Sequence, residues 1–393
     1  MSAPQGEPSQ AVDRLDALAE LDALIELGRR APGSDAERRA AGHLGQRLTA
    51  LGRTVDTEPF AVHPAWPVAY ALLAALAVAA STLSVYAPLA GVALAATAVV
   101  LTFLDAATLT PTLRRLLGRR ASQNVVSWGG DRKPGALVLV AHYDAGRAGL
   151  ALSDRVRRRA RRGLAPLLWA ELAVLACCLL RLIGLDGTPL TVVQFIPTLA
   201  LLVAIGLLAD IAVAGTKGGE NDNASGTVVV LRLADRFAGR ELEHFDLHVL
   251  LTGANKAGVA GMRAFLKRHA DRLTPDRTVF LNVDEVGAGE LRYARREGPL
   301  VTIKSHVQLL ELADQIVEDG SSAQPLVSRR ASDAYAARAA GLPALTVTCR
   351  ERLDYASGRV DERAMQEAED FCAELIERLD AEVGPALSEP EER

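Results

Sequence analysis

The chain has 393 residues, with 44 Lys+Arg against 48 Asp+Glu and a net charge of −4. There is no basic excess of the kind that draws nucleic acid, and none is expected as a partner. The length allows two or three domains. Four cysteines, Cys177, Cys178, Cys349 and Cys372, form no C-x-x-C pair, so neither a disulfide framework nor a zinc ribbon is implied.

Residues 1–63 read as polar and helical. Apolar residues recur at helical spacing over Leu15–Leu27, and again over Asp35–Leu51 after Pro32-Gly33-Ser34, where Ser34 and Asp35 are candidate N-caps. No signal-peptide-like apolar stretch falls within the first ~30 residues. From Pro64 to Leu104 no residue is charged. One bilayer crossing takes ~20 apolar residues, so 64–104 predicts two spanning helices with a turn near Tyr86–Gly91, at Pro88 and Gly91. A second hairpin, 164–214, is predicted as Leu164–Leu185 and Leu190–Ala214 around Leu185-Asp186-Gly187-Thr188-Pro189. A buried helix pair is the alternative, but an uncharged run of this length is hard to place in a water-soluble core.

Flanking charge sets the expected orientation. Arg114, Arg115, Arg119 and Arg120 follow the first hairpin, and Arg155, Arg157, Arg158, Arg159, Arg161 and Arg162 precede the second. By the positive-inside rule the chain is expected to be an integral membrane protein of four spans, with both termini and all polar segments cytoplasmic. Three charges lie within the two spans of the second hairpin. Arg181 and Asp210, near span ends, are expected to snorkel to the interface, whereas Glu171 lies about two turns in and is a candidate to face the bundle interior.

The polar segments 1–63, 105–163 and 215–385 alternate short apolar runs with amphipathic ones. Strands are predicted at Gly135–Ala141, Phe245–Leu251, Thr278–Val283 and Ala344–Thr348, and helices at Ser225–Phe237, Val259–His269, Val307–Asp319 and Asp361–Leu379. Such alternation argues for an α/β three-layer sandwich around a central sheet, interrupted by the two hairpins. The tail 386–393 reads as disordered.

Polar residues collect where strands end, the place such sheets keep their ligands. Leu137-Val138-Leu139-Val140-Ala141 runs into His142-Tyr143-Asp144, Glu220-Asn221-Asp222-Asn223-Ala224-Ser225-Gly226 precedes a helix, and another strand ends Leu281-Asn282-Val283-Asp284. His and Asp so placed suit a metal of hard-to-borderline character. Each motif alone has a plainer reading, as a structural histidine or a helix cap.

In this order the motifs resemble the zinc aminopeptidases of clan MH, a group that includes leucyl aminopeptidases, glutaminyl cyclases and the peptidase-like domain of transferrin receptors. The likeness extends over Pro32-Gly33-Ser34, Ser122-Gln123-Asn124-Val125-Val126, the His-Tyr-Asp strand, Asp-Asn-Ala-Ser-Gly, Ser332-Asp333 and Gly341-Leu342-Pro343-Ala344. It implies an aminopeptidase-like fold with a central mixed sheet and, in the family, two zinc ions. By the resemblance His142 and Asp284 would bind the first zinc, Asp222 would bridge both, and Asp144 would orient His142.

The family's next strand carries a Glu-Glu pair: a general base, then a ligand of the second zinc. Here those positions fall on Asn255 and Lys256. An amide cannot take a proton from water near neutral pH, and an ammonium has no lone pair for Zn²⁺. The family's late His is also missing, since His306 is the last histidine. Its position falls on Arg350 or, in another register of the Arg350–Asp361 segment, on Ala356. Lys256, together with Arg350, is expected to supply the positive charge that a second zinc would bring. His142, Asp222 and Asp284 leave a site for a single zinc, and a two-zinc centre is not expected.

The expected function is a membrane-anchored pseudopeptidase, a binding or assembly module for a protein or peptide partner. The alternative is a single-zinc hydrolase of altered mechanism, with Glu285 or Glu220 as its base. A transport role would rest on Glu171 alone.

Overall fold

The middle of the fold is set by a strand with no polar alternation. β3 (Gly135–His142) sends Leu137, Leu139 and Ala141 into one core and Val138 and Val140 into another. A strand of this kind must be covered on both faces. In this computed structural model, which describes residues 15–107, 111–130, 132–153, 164–350, 360–384 and 387, β3 lies within a mixed sheet of nine strands. The others are β1 (Asp56–Val62), β2 (Arg120–Ser127), β4 (Phe245–Thr252), β5 (Thr278–Asp284), β6 (Glu290–Glu297), β7 (Ile303–Lys304), β8 (Gln324–Ser328) and β9 (Ala344–Arg350). Their order is β1-β2-β4-β3-β5-β9-β6-β7, with β8 also on β6. β4, β3, β5 and β9 run parallel, so their C-terminal ends share one edge.

Helices cover both faces. α1 (Ala17–Glu26), α2 (Asp35–Ala50), α7 (Ser225–Arg236), α9 (Val307–Glu318) and α11 (Glu362–Arg378) pack on one side, and α8 (Ala260–Arg268) and α10 (Asp333–Ala339) on the other. This is the three-layer sandwich expected. Ser34 caps α2, its hydroxyl accepting from Glu37 N at 3.2 Å. The Ser-x-x-Glu spacing is that of a capping box, but Glu37 reaches Gly33 N (2.7 Å) and, across the fold, Ala254 N (2.8 Å).

The two apolar hairpins form a cluster of their own. α3 (Trp66–Leu83), α4 (Pro88–Ala106), α5 (Ala165–Leu182) and α6 (Thr188–Val213) are each long and apolar enough to cross a membrane. Small residues line their contacts. Ala74, Ala77, Ala80, Ala95 and Ala98 are fully buried, and a Cβ on Gly91 would lie 2.5 Å from that of Ser84. The first turn comes at residues 84–87, slightly earlier than expected, because Pro88 opens α4. Val192, Val193, Phe195, Ile196, Leu202 and Val203 point outward from α6.

Arg181 departs from expectation. It does not snorkel but is buried, giving Nε to Gln194 Oε1 and Nη2 to Thr191 Oγ1, both at 2.9 Å, and pairing with Asp186. Asp210 accepts from Leu150 N at 2.6 Å. Glu171 is fully buried, with Oε1 taking the Thr102 hydroxyl at 3.0 Å. The cluster Arg155–Arg162 and residues 351–359, with Ala356, the second alternative for the late His, lie outside the described residues, as does all of the 386–393 tail except Leu387.

Candidate functional site

The parallel strands converge on one edge, and their ends bring the three proposed ligands together. His142 ends β3, Asp284 ends β5, and Asp222 sits in the loop before α7. His142 Nε2 lies 3.2 Å from Asp284 Oδ1 and 3.5 Å from Asp222 Oδ1. Donors on a tetrahedral zinc, at ~2.0–2.1 Å from the ion, stand roughly 3.3 Å apart, so these separations suit one ion. Among the described residues this is the group of His, Cys, Asp and Glu side chains placed to share one. Asp144 stands behind His142, with its main-chain oxygen at 3.1 Å from Nδ1 and Oδ1 at 3.3 Å.

Opposite this cluster stands the loop after β4. Its shape needs left-handed backbone at Ala254 (φ 52°), Gly258 (φ +87°) and Val259 (φ 54°). The Asp144 carboxylate accepts the amides of Asn255 and Lys256, both at 2.9 Å. Lys256 Nζ then reaches Asp222 Oδ1 at 2.5 Å, the same oxygen that faces His142. Asn255 Nδ2 donates to Asp333 Oδ1 at 3.1 Å, and Asp333 Oδ2 accepts from Thr252 at 2.7 Å. Asn255, where the resemblance would place a general base, is therefore a neutral amide tied to a carboxylate.

Electrostatics within the cluster are strongly coupled. Burial and Lys256 oppose a proton on His142, but hydrogen bonds to Asp144 and Asp284 outweigh them and push it up to about 10. Burial likewise opposes charge on Asp222, yet Lys256 and His142 hold it below the usual carboxylate range. Lys256 is raised despite its burial, chiefly by Asp222 and then Asp284.

A second cation was missed in the sequence. Arg330 Nη1 meets Glu285 Oε1 at 2.5 Å, and Glu285 first, then Asp222 and Asp284, raise it. Its Ser-Arg-Arg context between β8 and α10 carries no motif that would have marked it. Arg350, expected in this role, is exposed at the end of β9, opposite Glu290 in register. Glu285, one candidate base, is engaged by Arg330. Glu220, the other, folds back over Gly218, where a Cβ would meet its carboxylate at 2.2 Å.

Two further buried groups were also missed. Arg30 is fully buried, giving Nε to Tyr143 O (2.8 Å), Nη1 to Leu24 O (2.8 Å) and Nη2 to Gly219 O (3.0 Å). Glu297 ends β6, accepting from Ser332 Oγ (2.8 Å) and Thr346 Oγ1 (3.0 Å). Burial raises Glu297 from 4.5 to about 7, against those two hydrogen bonds. The folded state thus holds its proton after the unfolded chain has lost it. Stability should fall as pH rises between 4.5 and about 7, by roughly 3 kcal/mol for this group. Glu297→Gln should flatten that part of the profile, measured by denaturant unfolding from pH 4 to 8. An unchanged slope would remove Glu297 as its source.

The comparisons bear on the fold that carries these residues. Residues 206–371 match Peptidase family M28. No curated protein matches. Among solved structures, a glutaminyl cyclase from an Acidobacteriales bacterium aligns at 14% identity over 96% of this chain and 99% of its own, with a TM-score of 0.52. An aminopeptidase from Aneurinibacillus sp. strain AM-1 aligns at 12% identity over 97% of each chain, also at 0.52. BSAP, a zinc aminopeptidase from Bacillus subtilis, aligns at 13% over 95% of this chain and 97% of its own, at 0.51. At such identities these likenesses establish the fold. The resemblance read from the motifs stands: residues 206–371 are similar to Peptidase family M28, and the fold is aminopeptidase-like.

Proposed function

We propose that this chain is a membrane-anchored, non-catalytic relative of the zinc aminopeptidases, a binding or assembly module for a protein or peptide partner. The observation that carries this reading is the Lys256 ammonium 2.5 Å from Asp222, beside an amide where the family has its base. Together they replace a zinc ligand and a proton acceptor with groups that can be neither. Anchoring rests on the four apolar helices and the outward apolar face of α6. A cytoplasmic α/β domain rests on the arginines after the first hairpin, Arg114 to Arg120, together with those at 155–162.

One zinc ion suits His142, Asp222 and Asp284, and bound there it would act as a Lewis acid at the strand ends. Lys256 competes for the Asp222 oxygen the ion would use, and a second ion has no ligand at position 256. The donor spacing of 3.2 and 3.5 Å supports a second reading, a single-zinc hydrolase of altered mechanism. Zinc content of detergent-solubilised full-length protein, by mass spectrometry with no zinc added, decides between them when paired with hydrolysis of aminoacyl amides. The expected result is less than one zinc per chain and no turnover. One zinc with turnover lost in His142→Ala would establish the second reading, and two zinc ions would overturn both.

A further inference from the structure

The apolar bundle and the α/β domain meet at a buried ion pair that touches the site. Asp105, at the end of α4, accepts from Arg114 Nε at 2.8 Å, from Thr112 N at 3.2 Å and from the Tyr70 hydroxyl of α3 at 2.8 Å. Both charged partners are almost fully buried, at 3% and 2% side-chain exposure for Arg114 and Asp105. Arg114 Nη1 continues to Ala257 O at 3.0 Å, the residue directly after Lys256. Gly258 makes the room, since a Cβ there would lie 2.9 Å from both Arg114 Nη1 and Nη2. On the other side of the site, the Tyr335 hydroxyl donates to Ala107 O at 3.3 Å. Tyr335 is two residues beyond Asp333, which holds Asn255. The end of one apolar hairpin thus contacts the loop that carries Asn255 and Lys256 and the helix whose Asp333 holds Asn255.

We infer that Asp105 and Arg114 are positioning residues for Lys256. The apolar hairpin fixes the loop that sets the ammonium on Asp222, so the zinc affinity of His142, Asp222 and Asp284 is governed from within the helix bundle. The inference rests on the reading of Lys256 as the zinc's competitor. A guanidinium bound between a carboxylate of the hairpin and a carbonyl of the loop transmits hairpin position to the loop without touching the ligands. Losing it frees Lys256 to leave Asp222, so zinc binding should tighten where a merely structural residue would weaken it.

The test uses the full chain in detergent and measures zinc affinity by competition with a chromogenic chelator, with hydrogen–deuterium exchange over 253–259 as a second readout. The variants are Lys256→Gln, Arg114→Lys, Asp105→Asn and, as a control at another buried polar cluster, Arg181→Gln. Lys256→Gln should raise zinc affinity about tenfold. Arg114→Lys, which keeps a charge for Asp105 but loses the planar reach to Ala257, should raise it in the same direction and speed exchange at 253–259. Adding it to Lys256→Gln should give no further gain, and Arg181→Gln should change neither readout. Unchanged exchange in both Arg114→Lys and Asp105→Asn would overturn the positioning role. If exchange quickens while Lys256→Gln leaves zinc affinity unchanged, the clasp stands and the competitor reading fails.

Discussion

Replacing Lys256 by glutamate should lower the stability of the metal-free protein by up to about 3–5 kcal/mol. That is the cost of breaking a fully buried pair, and it is an upper bound here because Lys256 and Asp222 keep 22% and 23% side-chain exposure. The reason lies in what the ammonium faces. Asp222 Oδ1 is 2.5 Å away, with Asp284 and Glu285 close enough to raise Lys256 as well. Reversing the charge would put one more carboxylate among three, leaving His142 and Arg330 to balance them. The same substitution restores the family's ligand type, so zinc should recover most of the loss. Denaturant unfolding in detergent, with chelator and then with zinc, gives both numbers. A metal-free Lys256→Glu protein as stable as the parent would overturn the charge-compensation reading.

The second large effect belongs to Arg30. Arg30→Met keeps much of the side chain's volume but removes every donor, leaving the carbonyls of Leu24, Tyr143 and Gly219 buried without it. At ~1–3 kcal/mol for each unsatisfied polar group, a loss of about 3 kcal/mol or more is expected. Arg30→Lys should recover only part of it, because one ammonium cannot reproduce a planar fork that reaches three carbonyls. Tyr143 and Gly219 belong to the segments carrying His142 and Asp222, so the loss should come with weaker zinc binding. A drop under ~1 kcal/mol by the same unfolding measurement would mean water or neighbours satisfy these groups.

What was legible in the sequence followed from pattern. β3, β4, β5 and β9 are buried on both faces and read as short, mostly apolar runs. β1, β2, β6, β7 and β8 carry no such run and fall outside the predicted strands. Asp56–Val62 holds two acids and Pro59, a composition that an edge strand tolerates and that periodicity does not flag. His142 and Asp284 stood out because strand ends concentrate ligands, Asp222 because its loop opens a helix, and Lys256 and Asn255 because they break a motif. Arg330, Arg30 and Arg114 stayed hidden for a different reason. An arginine acquires its role from what lies opposite it in space, and their partners Glu285, Gly219 and Ala257 are distant in the chain. Glu37 stood between the two cases. Its capping-box spacing was visible, but its bond to Ala254 was not.

The strand order also dictates a schedule of synthesis. Among the described residues, β3 pairs only with β4 and β5, and β2 reaches β3 only through β4. The second apolar hairpin lies between β3 and both of its partners in the chain. At ~5–20 residues per second, the most apolar strand of the sheet leaves the ribosome roughly 5–20 s before β4 exists to cover its edge. During that interval β1 and β2 can already pair, while β3 remains an open edge near the nascent bundle. Residues 135–142 are therefore expected to need shielding until the second hairpin and β4 have been produced, so a holding chaperone or insertion factor should be found on chains arrested after residue 142 and before residue 245.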